Sequence, residues 1–105
     1  MLDAAKAFSA MVQHPLPVAR YLEKVGDTAV QPITLPLIAV PTTAGTGSEV
    51  TQNAVVTDQQ DIQIKASLRH PVFVPEVAIL DPDLLKGAPD SVLATCGIDA
   101  FTHLF

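Results

Sequence analysis

Apolar residues recur at helical spacing near the start of the chain and form short unbroken runs further along. Over residues 2–13 most of them stand three or four positions apart, which predicts a helix that Pro15 and Pro17 end. A second, short helical turn is predicted over residues 17–25. The apolar positions of the first helix are Leu2, Ala4, Ala5, Phe8, Met11 and Val12.

Two uninterrupted apolar runs predict strands of a parallel sheet. Residues 37–40 read L-I-A-V between Pro36 and Pro41, and residues 77–80 read V-A-I-L before Asp81. A strand covered on both faces shows no polar alternation, and proline is tolerated at strand ends. We therefore expect residues 37–40 to form a buried strand and residues 77–80 to form a second short strand, with apolar faces that lack sheet neighbours in this chain.

The remaining elements are a hairpin and a final helix. Residues 53–58 and 62–68 flank Gln59-Gln60-Asp61, and their pattern predicts a β-hairpin on the surface of a larger body. Asp90 or Ser91 is the expected cap of a helix that runs from Val92 to the end. Helix, strand, loop, hairpin, strand and helix in this order predict an α/β fold.

The composition indicates more apolar surface than a small domain can bury alone. The chain has 105 residues, of which 49% are hydrophobic and 16% are charged. Globular proteins carry about 25% charged residues, and a domain of this size buries only about two-thirds of its unfolded surface. The chain is therefore expected to pack in a homo-oligomer or to be a piece of a larger protein, and we favour the second interpretation.

Charge, hydropathy and cysteine content together indicate the partners and the cellular compartment of the protein. The net charge is −5 without a basic cluster, which argues against nucleic acid and anionic membranes as partners. Proline or charge interrupts every apolar run well short of the roughly 20 residues of a bilayer helix. The first residues lack the basic stretch of a secretory signal, and the single Cys96, interpreted as a core residue, fits a reducing compartment. We expect a cytoplasmic protein.

A loop of small and hydroxyl-bearing residues follows the first predicted strand. Residues 42–51 read T-T-A-G-T-G-S-E-V-T. Such a loop offers backbone N–H groups and hydroxyls at the carboxyl edge of a sheet, where open α/β proteins bind ligands. It does not match the dinucleotide pattern G-x-G-x-x-G, so by spacing alone a plain connecting loop remains the alternative.

Asp99 and His103 form the most specific chemical pair in the chain. They stand four positions apart in the last predicted helix, so they share one face at neighbouring turns. A carboxylate and an imidazole there could both bind one metal ion. From the spacing alone, an ordinary contact on a helix surface is the alternative.

Four separated stretches, taken together, resemble the iron-containing, or group III, alcohol dehydrogenases. The resemblance runs from Leu2 to Phe105, and the stretches match in order and spacing. They are P-T-T-A-G-T-G-S-E-V-T (41–51), V-V-T-D (55–58), A-I-L-D-P-D-L-L (78–85) and G-I-D-A-F-T-H (97–103).

The resemblance implies a nicotinamide cofactor, NAD or NADP, at the threonine-rich loop. It also implies hydride transfer between this cofactor and a small alcohol or aldehyde. No role is assigned to Ser48, and Glu49 is expected to hold the loop through hydrogen bonds. The cofactor-binding residues implied are Thr42, Thr43, Ala44, Gly45, Thr46, Gly47, Lys65 and Leu84.

The same resemblance makes Asp99 and His103 the first two of four metal ligands, one aspartate and three histidines, for Fe²⁺ or Zn²⁺. It assigns no ligand role to His14, interpreted as a solvated residue at a helix end, or to His70 in a loop. The resemblance implies no catalytic residue in this chain other than these two ligands.

The implied organisation is the later part of a nucleotide-binding domain in residues 1–89, joined to the first helix of an all-helical metal domain in residues 90–105. The family's G-G-G-S phosphate turn and its other two histidine ligands are not in the sequence. We therefore expect an internal fragment that is inactive alone. The alternatives are a non-catalytic remnant or interaction module, and a relative such as a maleylacetate reductase or a hydroxyacid–oxoacid transhydrogenase.

Overall fold

The computed structural model describes residues 1–57 and 65–105, which form an α/β arrangement, as predicted. Helix α1 packs on an antiparallel pair of strands, and a parallel pair lies beside the threonine-rich loop. The elements are α1 (Leu2–Met11), β1 (Ile38–Ala39), β2 (Asn53–Thr57), β3 (Lys65–Arg69), β4 (Val77–Ala78) and α2 (Asp90–His103).

Helix α1 forms where the spacing of apolar residues predicted it, but most of those residues are not on its buried side. Phe8 and Val12 are largely exposed, whereas Lys6 and Ala10 are fully buried. Small residues on the buried side allow the helix backbone to approach the strands closely, and the Lys6 amine finds polar partners there. The buried residues of α1 are Lys6, Ala7, Ser9, Ala10 and Met11.

The hairpin strands β2 and β3 pair in antiparallel register, as predicted, but they belong to the core rather than to the surface. Ala54 faces Leu68 across the pair, and both are fully buried. The predicted turn at Gln59-Gln60-Asp61 and the adjoining ends of the two predicted strands lie in residues 58–64, outside the described residues. The core cluster comprises Ala7, Ala10, Met11, Tyr21, Leu22, Ala54, Leu68 and Phe73.

The two apolar runs do pair as parallel strands, with Ile38 opposite Val77 and Ala39 opposite Ala78. The prediction that residues 37–40 form a buried strand is wrong for Ile38 and Val40. Ala39 is fully buried, but Ile38 is 61% exposed and Val77 is 47% exposed. The pair presents its apolar side chains outward because no layer of the described residues covers them.

The segment after α1 differs from the predicted helical turn. A 3-10 helix covers Val18–Tyr21 only. His14 is buried rather than solvated: its Nδ1 donates to the carbonyl of Ala10 at 2.9 Å, and its Nε2 accepts from the amide of Gln31 at 3.0 Å. The imidazole therefore joins α1 to the chain that leads to β1, which the interpretation of His14 as a solvated residue did not anticipate.

Helix α2 begins at Asp90 with Pro89 as its N-cap, so the predicted side-chain cap from Asp90 or Ser91 is wrong. None of its residues is buried, and Cys96 is half-exposed rather than a core residue. Within the described ranges, no helix has the length and apolar character needed to cross a membrane.

Candidate nucleotide and metal site

A cavity of about 890 Å³ lies where the threonine-rich loop, the start of α1, the hairpin and α2 meet. Only Val40 and Pro41 separate the end of β1 from the loop, so the loop lies at the carboxyl edge of the parallel pair. Six of the residues implied by the sequence line this space together: Thr42, Thr43, Thr46, Lys65, Asp99 and His103.

The other four implied residues do not line the cavity. Ala44, Gly45 and Gly47 belong to the same loop but lie outside the lining. Leu84 lies on the 3-10 helix Pro82–Leu85, with 41% of its surface exposed. The structure therefore brings the three loop threonines together with Asp99 and His103, whereas Leu84 lies outside this cavity.

Two glycines give the loop its path. Gly45 has φ of 120° and Gly47 has φ of 63°, both in the region that side chains disfavour. After Gly47 the chain contacts α1 through Ser48, and the Val50 amide closes a turn by donating to the Gly47 carbonyl at 3.1 Å. The loop can thus pass close to a neighbouring backbone or to a ligand.

Lys6 of α1 binds the second half of this loop and the first residue of β2. Its fully buried amine donates to the carbonyls of Ser48 at 2.8 Å, Thr51 at 2.7 Å and Asn53 at 2.7 Å, and lies 3.1 Å from the Thr51 hydroxyl. Several oxygen acceptors around one nitrogen suit an ammonium group with three N–H donors. Burial lowers the pKa of Lys6, and the charges of Asp3 and Glu49 oppose that shift.

Asp3, one turn before Lys6, holds the same segment through its carboxylate. One oxygen accepts from the Ser48 hydroxyl, and the other accepts from the Val55 amide at 3.0 Å. Ser48 is therefore held twice, by its carbonyl and by its hydroxyl. Glu49, expected to hold the loop, lines the cavity and acts on Lys6 through its charge.

The sequence pattern did not indicate a role for Asp3 or Lys6. The only signal available was an acid and a base three positions apart, which is also the pattern of an exposed helix face. Nothing in the local pattern indicates that the loop's carbonyls lie opposite this face, because they come from residues more than 40 positions away.

Asp99 and His103 lie on one face of α2, with Oδ1 and Nδ1 separated by 4.0 Å. Two atoms that each bind one ion at about 2.0–2.2 Å can be no more than about 4.4 Å apart, so this distance is compatible with a shared metal. Their side chains are 43% and 63% exposed, respectively, and both reach the cavity. The oxygen and nitrogen donors suit Fe²⁺ or Zn²⁺.

Asp99 and His103 alone are too few donors for a metal site. Across residues 1–57 and 65–105, no group of three or more histidine, cysteine, aspartate or glutamate side chains converges in a way that could hold a metal ion. A zinc or iron site needs three or four protein ligands. The pair fits a metal in the type and spacing of its donors but does not enclose one.

Lys65 begins β3 opposite Thr57, and both side chains line the cavity. The side chain of Lys65 is exposed, so its ammonium group can meet an anion in the cavity. Three kinds of group therefore line one cavity: the hydroxyls of the glycine-containing loop, the ammonium group of Lys65 on β3, and the oxygen and nitrogen donors of Asp99 and His103.

An α/β segment with a small-residue loop at the carboxyl edge of parallel strands belongs to the class of partial nucleotide-binding domains. The sequence profile described as "Iron-containing alcohol dehydrogenase" matches residues 1–82. The chain belongs to the iron-containing alcohol dehydrogenase family.

Individual relatives agree with this assignment. The chain is 47% identical over 103 residues to the probable alcohol dehydrogenase EutG of Escherichia coli K12, covering 98% of this chain and 25% of that protein. It is 37% identical over 102 residues to the lactaldehyde reductase of the same strain, covering 96% of this chain and 26% of that enzyme.

Among solved structures, the sulfoacetaldehyde reductase of Bifidobacterium kashiwanohense in complex with NAD⁺ superposes with a TM-score of 0.85 and 38% identity. The match covers 93% of this chain and 25% of that one. The chain thus spans about a quarter of the length of the relatives that it matches.

Proposed function

We propose that this chain provides the cofactor loop and two metal ligands of an alcohol dehydrogenase. The enzyme would transfer hydride between a small alcohol or aldehyde and a nicotinamide cofactor. The observation that carries the proposal is the shared cavity, which Thr42, Thr43 and Thr46 line together with Asp99 and His103. Family membership supports it, as do relatives named for aldehyde reduction.

The loop residues are proposed to bind the cofactor in two ways. The hydroxyls of Thr42, Thr43 and Thr46 donate to or accept from its polar groups. Their neighbours Ala44, Gly45 and Gly47 allow the backbone to approach it closely because they carry little or no side chain. The cofactor is NAD or NADP, and the NAD⁺ complex of the sulfoacetaldehyde reductase favours NAD.

Two residues outside the loop complete the proposed cofactor contacts. Lys65 places its ammonium group at the cavity wall, where it can attract a phosphate. Leu84 lies outside the cavity lining, so its contribution requires an apolar contact at the edge of a cofactor that extends beyond this space.

Asp99 and His103 are proposed to hold Fe²⁺ or Zn²⁺ with further ligands from the remaining three-quarters of such an enzyme. When bound, the metal supplies Lewis-acid polarisation of the substrate C–O bond. The part of this chain is to set the position of two donors relative to the cofactor loop. With two ligands alone, the isolated chain would be inactive.

The division of the chain is proposed to follow this chemistry. Residues 1–89 form the later part of a nucleotide-binding domain, and residues 90–105 form the first helix of a metal-binding domain. In support, α2 buries none of its own residues and reaches the rest of the fold at the loop.

The outward apolar faces of β1 and β4 favour association with further protein, and we propose a homo-oligomer. The acidic composition favours neither nucleic acid nor an anionic membrane as a partner, and a cytoplasmic location is proposed.

The proposal can be tested by segment replacement. In the E. coli lactaldehyde reductase, the quarter that matches this chain would be removed, and residues 1–105 of this chain would be inserted in its place. The two segments share 37% identity. The resulting enzyme, called the replacement enzyme below, is expected to reduce lactaldehyde with NADH or NADPH, tested separately. Measurable turnover that depends on Fe²⁺ or Zn²⁺ supports the assignment.

Point variants in the replacement enzyme separate the assigned residues from mere folding. Asp99→Asn and Thr43→Val are expected to reduce turnover at least about 100-fold and about 10-fold, respectively. Asp83→Asn, at an exposed ion pair with Lys86, is the matched control and should leave turnover unchanged. A folded replacement enzyme that binds neither nucleotide would refute the proposal.

A further inference from the structure

We propose that Lys6 and Asp3 of α1 are positioning residues that hold the threonine-rich loop in its cofactor-binding shape. The inference rests on the function proposed above for that loop. Neither residue has to touch the reacting atoms, because both act through the segment from Ser48 to Val55.

The contacts of Lys6 are too many and too buried for an ordinary helix lysine. Its amine meets three backbone carbonyls at 2.7–2.8 Å, from Ser48, Thr51 and Asn53, and none of its surface is exposed. A buried ammonium group is costly unless every donor is satisfied. These carbonyls satisfy it only when the segment follows its present path, so the buried charge selects one loop conformation.

Asp3 adds a second constraint at the same place. Its carboxylate accepts from the Ser48 hydroxyl and from the Val55 amide, so it contacts both ends of the segment whose carbonyls Lys6 binds. Lys6 therefore binds carbonyl groups of residues 48–55, and Asp3 binds a hydroxyl and an amide of the same residues.

The constraint passes to the proposed cofactor contacts through Ser48. The Ser48 amide lies 3.4 Å from the hydroxyl of Thr46, which lines the cavity. Between them, Gly47 gives the backbone wide conformational freedom. Without the anchor at Ser48, the loop would have to be ordered by the cofactor itself, and this ordering would weaken binding.

The first test measures loop order in the full 105-residue chain, independently of catalysis. Lys6→Met keeps the length of the side chain and removes its N–H donors. Hydrogen exchange of the amides of residues 46–55 should become at least about 10-fold faster relative to the amides of β3. Leu22→Ala, a core truncation outside α1 and the loop, is the control that should accelerate both regions alike.

The second test uses the replacement enzyme and titrates NADH by its fluorescence. Lys6→Met and Asp3→Ala are each expected to raise the dissociation constant of NADH about 10-fold, with kcat at saturating NADH changed less than about three-fold. Leu22→Ala should leave the dissociation constant unchanged. Asp3→Asn, which retains one carbonyl oxygen as an acceptor, should recover part of the affinity.

The outcomes separate this inference from the proposed function. If the unaltered replacement enzyme binds no nucleotide, the proposed function fails, while hydrogen exchange still decides whether Lys6 orders the loop. If exchange of residues 46–55 is unchanged in Lys6→Met, or if Leu22→Ala weakens NADH binding as much as Lys6→Met does, the positioning role is wrong.

Discussion

Gly45 of the threonine-rich loop lies directly against the backbone carbonyl of Cys96 on helix α2. A β-carbon added at Gly45 would be 2.5 Å from that oxygen and 3.4 Å from the amide nitrogen of Ala100. The same helix carries Asp99 and His103. The absence of a side chain at one loop residue therefore sets how closely the proposed cofactor loop approaches the proposed metal ligands.

The first prediction concerns this contact. Gly45→Ala should push α2 away from the loop, because the obstructing atom is backbone and cannot rotate aside. A shift of about 1 Å between reacting groups can cost about 100-fold in rate, so kcat of the replacement enzyme should fall 10- to 100-fold. Steady-state kinetics with saturating NADH measures the effect.

Gly47→Ala is the control for Gly45→Ala. Gly47 also has a positive φ, but its added β-carbon would meet no atom within 4 Å. It should reduce stability without a comparable fall in kcat. Equal losses of kcat in the two variants would show that backbone strain, rather than the contact with α2, explains the effect.

The second prediction concerns the core between α1 and the hairpin. Leu68 is fully buried on β3, and Leu68→Ala should lower the free energy of unfolding by about 2–5 kcal/mol. Leu80→Ala, at a leucine that is 66% exposed, should change it by no more than about 0.5 kcal/mol. Urea denaturation followed by circular dichroism measures both, and similar losses would contradict the placement of β3 in the core.

The third prediction concerns the pH dependence of the exposed Arg20–Asp27 pair, in which Nε and Oδ1 are 2.6 Å apart. The hydrogen bond from Arg20, with a second from Thr28, lowers the pKa of Asp27 below its ordinary 3.8. A carboxylate with a lowered folded-state pKa stabilises the fold above the unfolded-state pKa. This contribution is lost as the pH falls through the lower folded-state pKa.

Asp27→Asn should therefore be slightly less stable than the unaltered chain at pH 6, and the difference should vanish as the pH falls well below 3.8. The effect is small because both groups are exposed. Urea midpoints across this pH range test it. Arg20→Ala should give the same loss, and the double variant should show no further one; a difference that persists at low pH excludes the ionic explanation.

The fourth prediction concerns metal affinity. With Asp99 and His103 as the ligand pair, the isolated chain should bind Zn²⁺ more weakly than micromolar, whereas the replacement enzyme should bind it tightly. His103→Gln should reduce metal retention in the replacement enzyme, and His70→Gln, outside the cavity lining, should not. Titration calorimetry and metal analysis after dialysis test this. A sub-micromolar site in the isolated chain would contradict it.

The fifth prediction concerns self-association. Ile38 and Val77 lie opposite each other with exposed side chains, so the isolated chain should sediment above its monomer mass of 11.1 kDa. Replacing both with lysine should shift the distribution toward monomer. Val12→Lys, at an exposed residue of α1 away from this sheet, should not. A sharp monomer peak for the unaltered chain would show that the apolar faces do not associate.

Much of the architecture follows from the sequence alone. Helical spacing, two apolar runs and a hairpin pattern predicted the α/β class and the parallel strands, whereas the pairing of β1 with β4 is seen only in the structure. These are local properties of the chain, set by side-chain periodicity and by the positions of proline. The four motifs identified the family for the same reason, since each is a short local pattern.

Which faces are buried could not be predicted in this way. The apolar residues Phe8 and Val12 point outward and Lys6 points inward, because burial depends on the groups that the rest of the chain places opposite. Backbone carbonyls carry no sequence signature, so a lysine that satisfies three of them resembles any other lysine in the sequence. The hairpin likewise entered the core because α1 packs on it.

The sequence by itself determined the elements, the family and the pairing of Asp99 with His103, because one helical turn already brings residues four positions apart together. Only the tertiary structure decided that this pair shares a cavity with Thr42, Thr43 and Thr46, and that Lys6 and Gly45 hold the loop from two sides. These contacts join residues 42–55 to α1 and α2, which lie far from them in the sequence. The positions of such residues relative to one another are set by tertiary packing rather than by a local pattern.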